Sequence, residues 1–469
     1  MDAGVGCNRC CAVTDEVGRV ECVAALGTLA PAVFSRPLLA VQSKIASPLH
    51  LSSCCTVAQE ILDCSVEGRP VPAGPLRQLI ECASAADPQS ALAGSRALFQ
   101  VLVEGLADLF EPRLCDAYAE IFSEAIAFLS PVHKPAGLVA RYRRVRAARR
   151  FTGDASRTRQ VFVLSRVTLG ADVAVTSVML DAAKRRFPKA EVCFVGPEKN
   201  WQLFAADPRL RWLPVSYGRA GTLRDRLAVW PELIALLTQP AAVVIDPDSR
   251  LTQLGLLPVC PEENYYLFES RAYGGDGLDS LTALAQRWAA AVFDVHDAAP
   301  YTAPAEQPVL PDGPFTIVNL GVGENPAKGM PDPFEEDLLR ALLRQQASVV
   351  VDLGAGHEEE QRARMAISRC GASEPQVRPW RGSFAALAAM IAASRLYVGY
   401  DSGGQHAAAA CGTPLVTVFA GFASPRMFAR WYPTGPGPKE VVRVERADPG
   451  AVLEQTLAAV NRLVPGLAP

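Results

Sequence analysis

The sequence lacks any uninterrupted aliphatic run long enough to cross a bilayer. Even Ala388 to Val398 is broken by Ser394 and Arg395, so no transmembrane segment is expected. It lacks an excess of basic charge as well. The formal net charge is −3, which argues against a general nucleic-acid binder. The first residues lack a basic region followed by an apolar one, so no secretory signal is expected and the cytoplasm is the expected compartment. No strand leads into a G-x-G-x-x-G turn that opens a helix. Gly321-Val-Gly323 is followed by Glu-Asn-Pro, and Pro326 breaks a helix at once, which speaks against an NAD-dependent oxidoreductase. A closed zinc set of four ligands is missing too. Cys7-Asn8-Arg9-Cys10-Cys11 has one C-x2-C half, and neither Cys22 nor Cys54-Cys55 completes it at a zinc-module spacing.

What is present is a soluble globular balance, 49% apolar and 20% charged over 469 residues, enough for two or three domains. Nine of the thirteen cysteines precede residue 120. The others, Cys193, Cys260, Cys370 and Cys411, sit mostly in apolar settings and read as free buried thiols. Residues 1–75 have weak periodicity and stay unassigned. Residues 76–150 read as a helical accessory region. Leu98, Val101, Leu102, Leu106 and Leu109 recur at helical spacing over Ala93 to Phe110, and a second helix is expected over Pro112 to Leu129. Arg141 to Arg150 holds six arginines in ten residues. It reads as a solvated linker helix, with contact to an anionic membrane surface as the alternative.

From residue 160 the pattern alternates. Strands are expected at Val161–Ser165, Glu191–Val195, Arg211–Val215 and Ala242–Ile245. Helices are expected at Asp172–Phe187, Thr222–Leu237 and Asp279–Val292. Four prolines within residues 298–311 mark a linker over 298–312. The alternation then restarts at Phe315–Asn319 and runs to a last helix at Pro449–Leu463. The fold class is therefore α/β: two Rossmann-like, doubly wound domains, 160–297 and 313–465, facing across a cleft. Ligands bind such sheets beyond the carboxyl ends of the strands.

The most informative stretch is Val398-Gly-Tyr-Asp401-Ser402-Gly403-Gly404-Gln-His406, followed by four alanines, Cys411, Gly412, Thr and Pro414. A strand ends, the chain turns and a helix starts. Asp401 or Ser402 can cap that helix. Gly403 and Gly404 leave its free amides open to an anion, and His406 lies one turn in. This stretch resembles the D-[ST]-G-x-x-H, small-residue helix and G-x-P signature of glycosyltransferase family 9, the ADP-heptose:lipopolysaccharide heptosyltransferases. The resemblance covers roughly residues 160 to 465 and implies the GT-B arrangement.

Three further segments carry the resemblance. Val161 to Leu180 resembles the family's first strand, G-D turn and helix. The turn's acid, the family's general base, is carried onto Asp172, with Ala171 standing between it and Gly170. A helix N-cap is the plainer reading of Asp172. Asn319 to Pro331 resembles the loop whose lysine contacts the diphosphate, here Lys328, with Glu324 where the family has a small hydroxyl residue. Asp352 to Glu360 resembles the segment whose glutamate holds the ribose, here Glu358. An acid-rich helix start is the alternative for that residue.

The resemblance implies inverting, metal-independent transfer of a heptose or similar sugar from an ADP- or other NDP-sugar to a glycan or glycolipid acceptor, with no cofactor. Lys328, the amides at Ser402, Gly403 and Gly404, and His406 would stabilise the diphosphate, with Asp401 counted among the donor-binding residues. The acceptor is expected near Arg166, Asp246, Asp248 and Arg271, which sit at or after strand ends. A sensor or scaffold that keeps the donor pocket without turnover is the competing reading.

Overall fold

The computed structural model describes residues 51–464 except 324, 345–347 and 373–374. The Cys7–Cys11 cluster, Cys22 and Glu324 lie outside the described residues. The described cysteines are free thiols, and none is exposed.

Two parallel sheets organise the chain. The first joins β1 (Gln160–Leu164), β2 (Glu191–Gly196), β3 (Leu210–Pro214), β4 (Ala242–Asp246) and β5 (Tyr265–Leu267) in the order β3-β2-β1-β4-β5. The second joins β6 (Phe315–Asn319), β7 (Ser348–Asp352), β8 (Val377–Trp380), β9 (Leu396–Tyr400), β10 (Leu415–Phe419) and β11 (Lys439–Arg443) in the order β11-β10-β9-β6-β7-β8. Both are doubly wound, with topological switch points at β1/β4 and β6/β9. β1, β4, β6, β9 and β10 are apolar almost throughout because both of their faces are covered.

The two faces of the first sheet are covered differently. Val161 and Val163 on one face pack with Val178 and Trp288 from the following helices. Phe162 and Leu164 on the other face join a core that contains Tyr118, Phe122, Leu138 and Tyr142 from the accessory helices. A parallel sheet exposed on one face would leave a large apolar surface in water. The accessory bundle removes it, at roughly 25 cal/mol per Å² of apolar area buried.

The bundle starts with Leu51–Val66 and Ala73–Ala83, so part of the unassigned first 75 residues is helical. Helix Pro88–Arg96 continues through wide turns at Ala97–Val103 into Glu104–Asp108, and Pro112–Leu129 and Pro135–Arg146 complete it. The basic stretch packs on the first sheet through part of its length, while Arg143, Arg144, Arg149 and Arg150 keep exposed side chains. Arg141 is buried and donates to Gly255 O at 2.8 Å while lying 4.8 Å over the Tyr265 ring. Arg143 and Arg146 pair with Asp116 within their own bundle, Arg144 with Glu262, and Arg150 with Asp294. Arg149 donates to the carbonyls of Glu262 and Glu263. Arg141, Arg144 and Arg149 thus strap the bundle to the loops beside β5.

Other departures have local causes. The expected helix 222–237 is two, Leu223–Leu227 and Trp230–Leu237, because Pro231 can sit only in a first turn. The Pro-rich stretch has no regular structure but is pinned. Tyr301 donates through its hydroxyl to Asp207 at 2.9 Å and through its amide to Ser177 Oγ at 3.2 Å. Among the described residues no helix is long and apolar enough to cross a membrane.

Phe122 tests whether the bundle belongs to the core. It is fully buried, stacks on Tyr118 at 5.5 Å and meets Phe99 at 5.6 Å. Phe122→Ala should cost about 3–5 kcal/mol. Tyr118 bonds Gln253 O in the first sheet's loops, so far-UV circular dichroism and Trp230 or Trp288 fluorescence should report one shared, shifted urea transition.

Candidate functional site

The strand ends at the two switch points face each other. The Gly403–Cys411 helix follows β9, with Ser402 as its cap, accepting from Gly404 N at 3.3 Å, and Gly412 closing it at φ +76°. Asp401 is therefore free for another partner. Lys328 Nζ donates to its Oδ2 at 2.6 Å and to its carbonyl at 3.3 Å, and Gln405 Nε2 donates to its Oδ1 at 2.5 Å. Lys328, Asp401, Ser402, Gly403, Gly404 and His406 are thus brought together at one helix start. His406 is buried beneath Trp431, ring centroids 5.7 Å apart, and burial pushes its pKa down to about 4, so the imidazole is neutral at pH 7.

Glu358 stands exposed in the first turn of the neighbouring His357–Arg369 helix and makes no hydrogen bond among the described residues. Its neighbour Glu359 does the structural work. Its carboxylate accepts from Val322 N and Gly323 N at 3.0 Å each and from Ala355 N at 3.2 Å. That ties the loop after β6 to the loop after β7.

The turn after β1 packs directly on the Gly403 helix. A Cβ on Gly170 would come within 2.9 Å of Gly403 Cα, so only glycine permits this approach. Asp172 departs from expectation. Its carboxylate does not reach the mouth of the cleft but is fully buried. It accepts from Ser165 Oγ at 2.7 Å, Arg166 N at 2.7 Å, Thr176 Oγ1 at 2.6 Å and Asn200 Nδ2 at 2.6 Å. Burial raises its pKa, and these four donors oppose that rise. It is not a helix N-cap either: the helical turn starts earlier, at Leu169. The residue of this turn that lines the cleft is Ala171. Val167, held at φ +64° just after Arg166, is strained for a β-branched residue, and the Asp172 network holds the turn in that shape.

The expected acceptor residues divide. Asp246 does not line the cleft. It is fully buried and accepts from Ser249 N, Thr252 Oγ1 and Tyr265 Oη, bracing β4 against β5. Arg166, Asp248 and Arg271 do line the cleft. Arg271 bridges Asp248 Oδ1 at 2.8 Å and Glu269 Oε1 at 2.9 Å, and Arg166 donates to Pro247 O at 2.6 Å and Ser270 Oγ at 3.0 Å. The result is a cavity of about 130 Å³ with three walls. The strand-end loops of the first sheet give Arg166, Thr168, Ala171, Asp248, Arg250 and Arg271, the segment between β10 and β11 gives Trp431, and the accessory helix end gives Glu104, Asp108 and Phe110. The sequence offered no signal for the accessory contribution, since Glu104 and Asp108 read as the polar face of an amphipathic helix. Phe110 meets Trp431 at 6.3 Å, and its carbonyl accepts from Arg426 at 3.1 Å.

With this geometry in place, comparison with known proteins is specific. Residues 299–437 match the family described as glycosyltransferase family 9 (heptosyltransferase). The solved glycosyl transferase family 9 protein of Veillonella parvula is 16% identical, with a TM-score of 0.50 over 65% of this chain and 97% of that one. The ADP-heptose lps heptosyltransferase II of E. coli is 18% identical, with a TM-score of 0.45 over 65% and 99%. An E. coli heptosyltransferase solved with ADP is 17% identical, with a TM-score of 0.44 over 64% and 99%. No curated protein matches the chain by sequence. Residues 299–437 are a glycosyltransferase family 9 domain, and the two-sheet fold is that of the Veillonella protein.

Asp172 gives a test of its corrected role. In Asp172→Asn, donors that now converge on a carboxylate face an amide able to accept for only some of them. The variant should lose about 1–3 kcal/mol of stability and several degrees of melting temperature, while turnover per folded molecule drops by less than about tenfold. Unchanged melting with turnover down a hundredfold would return Asp172 to catalysis.

Proposed function

We propose that this family 9 glycosyltransferase moves a heptose or similar sugar from an ADP- or other NDP-sugar to a hydroxyl of a glycan or glycolipid, inverting the anomeric centre without a metal. One observation carries the reading: Lys328 and Asp401 pair at the start of the Ser402-capped, glycine-opened helix, in direct contact with the turn after β1. A diphosphate laid there meets the lysine ammonium and a helix N-terminus together. Both oppose the charge that develops as the nucleoside diphosphate leaves. Neutral His406 adds a hydrogen bond rather than a charge, and exposed Glu358 is placed to accept from ribose hydroxyls. The acceptor hydroxyl enters the three-walled cavity. Free thiols suit a reducing cytoplasm.

The competing reading, a donor-binding sensor without turnover, draws support from Ala171, which puts a methyl group where the turn lines the cleft. Turnover decides between the two. Binding of ADP-, UDP-, GDP- and dTDP-linked sugars should be measured by thermal shift, followed by release of the nucleoside diphosphate. Binding with no release under any acceptor supports the sensor.

Two outcomes are expected of the enzyme. Lys328→Ala should weaken donor binding by about 1.5–3 kcal/mol, the scale of a charged hydrogen bond, and also lower the melting temperature, because buried Asp401 loses its cation; an unaltered dissociation constant by calorimetry would remove Lys328 from the site. Turnover should also persist in EDTA. Loss on chelation, restored by Mg2+ or Mn2+, would show that an ion rather than Lys328 neutralises the leaving group.

A further inference from the structure

The cleft poses a chemical question. If a hydroxyl attacks in this cavity, some group must take its proton, and the turn that lines the cavity offers Ala171 there while Asp172 is buried in its own network. Three carboxylates line the cavity: Glu104, Asp108 and Asp248. Two are engaged. Glu104 Oε1 lies 3.4 Å from both Arg219 and Arg250. Asp248 accepts from Arg271 at 2.8 Å and Ser270 at 2.7 Å, with Arg166 at 3.7 Å. Asp108 alone of the three has no hydrogen bond or ion pair among the described residues, and its side chain is open to the cavity.

Its position is unfavourable for a merely structural carboxylate. Asp108 is the last residue of the Glu104–Asp108 helix, where the helix dipole disfavours a negative charge. The chain then turns through Phe110 at φ +52°, which anchors this helix end on Trp431 across the cleft. The carboxylate is thereby held on the cavity wall, where the charges of Lys328 and Arg250 reach it.

We propose that Asp108, supplied by the accessory helices, is the general base of the transfer reaction, acting where the turn after β1 offers only Ala171. The proposal rests on the glycosyltransferase reading above. The acceptor O–H proton passes to an Asp108 oxygen as the acceptor oxygen bonds to the anomeric carbon. The bond from that carbon to the phosphate oxygen breaks, and the nucleoside diphosphate leaves with the electron pair. No further reactant is needed. The electrostatics suit the task. Asp108 keeps an exposed side chain, and the protein walls crowding it push it up to about 6, with Glu104 adding to the rise and Lys328 and Arg250 opposing it. A base in that range is ionised at pH 7 yet basic enough to accept a proton.

The test uses the full chain with ADP-heptose as donor and deacylated, heptose-deficient lipopolysaccharide core as acceptor, following ADP release. Asp108→Asn should lower kcat at least about a hundredfold, with the ADP-heptose dissociation constant within about twofold and melting unchanged. Asp108→Glu should keep part of the rate. The wild-type kcat/KM profile should fall below pH about 6, because protonated Asp108 cannot accept a proton. That limb should be missing from the residual activity of Asp108→Asn. Adding Ala171→Asp to Asp108→Asn should restore part of the rate. An Asp108→Asn enzyme within about tenfold of wild type, with its acid limb intact, overturns the assignment but leaves the glycosyltransferase reading standing. A wild type that binds ADP-heptose but neither transfers nor hydrolyses it overturns both.

Discussion

The first sheet is parallel, and a parallel sheet must be covered on both faces. The rest of the molecule follows from how that demand is met. One face is sealed by helices from the sheet's own crossovers. The other is sealed largely by a bundle that precedes the sheet in the chain, through Tyr118, Phe122, Leu138 and Tyr142. Burying that face fixes the bundle's orientation. Polar contacts then set its position to within a hydrogen bond: Tyr118 Oη on Gln253 O, Arg141 on Gly255 O and Arg271 5.1 Å over the Tyr118 ring. Once the bundle is fixed there, the helix end at Glu104–Asp108 must project toward the carboxyl ends of β1 and β4, where the cleft is. A covering element thus becomes a wall of the site.

The turn after β1 shows what one residue of offset does. A G-D turn read without an insertion puts its acid at Ala171, facing the cleft. Here the acid comes one position later, which on a helical turn rotates it by about 100 degrees into the core. A carboxylate buried there is costly unless donors converge on it, and Ser165, Arg166 N, Thr176 and Asn200 do so. The group then serves the turn. It holds Arg166 and the strained Val167 in place, and so shapes the cavity floor without touching what enters it.

This explains how far the sequence could be read. Strands buried on both faces, such as Val161–Leu164 and Leu415–Phe419, announce themselves as apolar runs. The three strands left unassigned are β5, β8 and β11, each at a sheet edge. An edge strand pairs on one side only and tolerates residues such as Arg378, Pro379 and Lys439, which erase the pattern. That Lys328 and the Asp401–His406 turn meet at one helix start was legible because a strand end, two glycines and a capping residue set that turn locally. Even there, only the structure shows that Ser402 is the cap and Asp401 the lysine's partner. Asp172 could not be assigned from sequence, because cap, base and buried brace all ask for an aspartate after a glycine turn. The arginine strap was illegible for a related reason. Charge density tells how many cations there are, while the carbonyls of Gly255 and Glu262 that receive them lie more than a hundred residues away.

The two halves of the cleft therefore differ in kind. Residues 299–437, which match the family, carry Lys328, Glu358 and the Asp401–His406 turn, all on short loops whose shape is set by their own glycines and caps. Such a site depends little on what lies beyond its sheet. The opposite wall is composite. Its floor depends on the Asp172 network, its sides on the Arg271 bridge between Asp248 and Glu269, and its roof on the helix end at Glu104–Asp108. A change in how the bundle packs on Phe162 and Leu164 would move that roof while leaving the loops of the second sheet in place. The two walls can then vary independently, and the accessory helices shape the composite one because they cover the sheet that forms its floor.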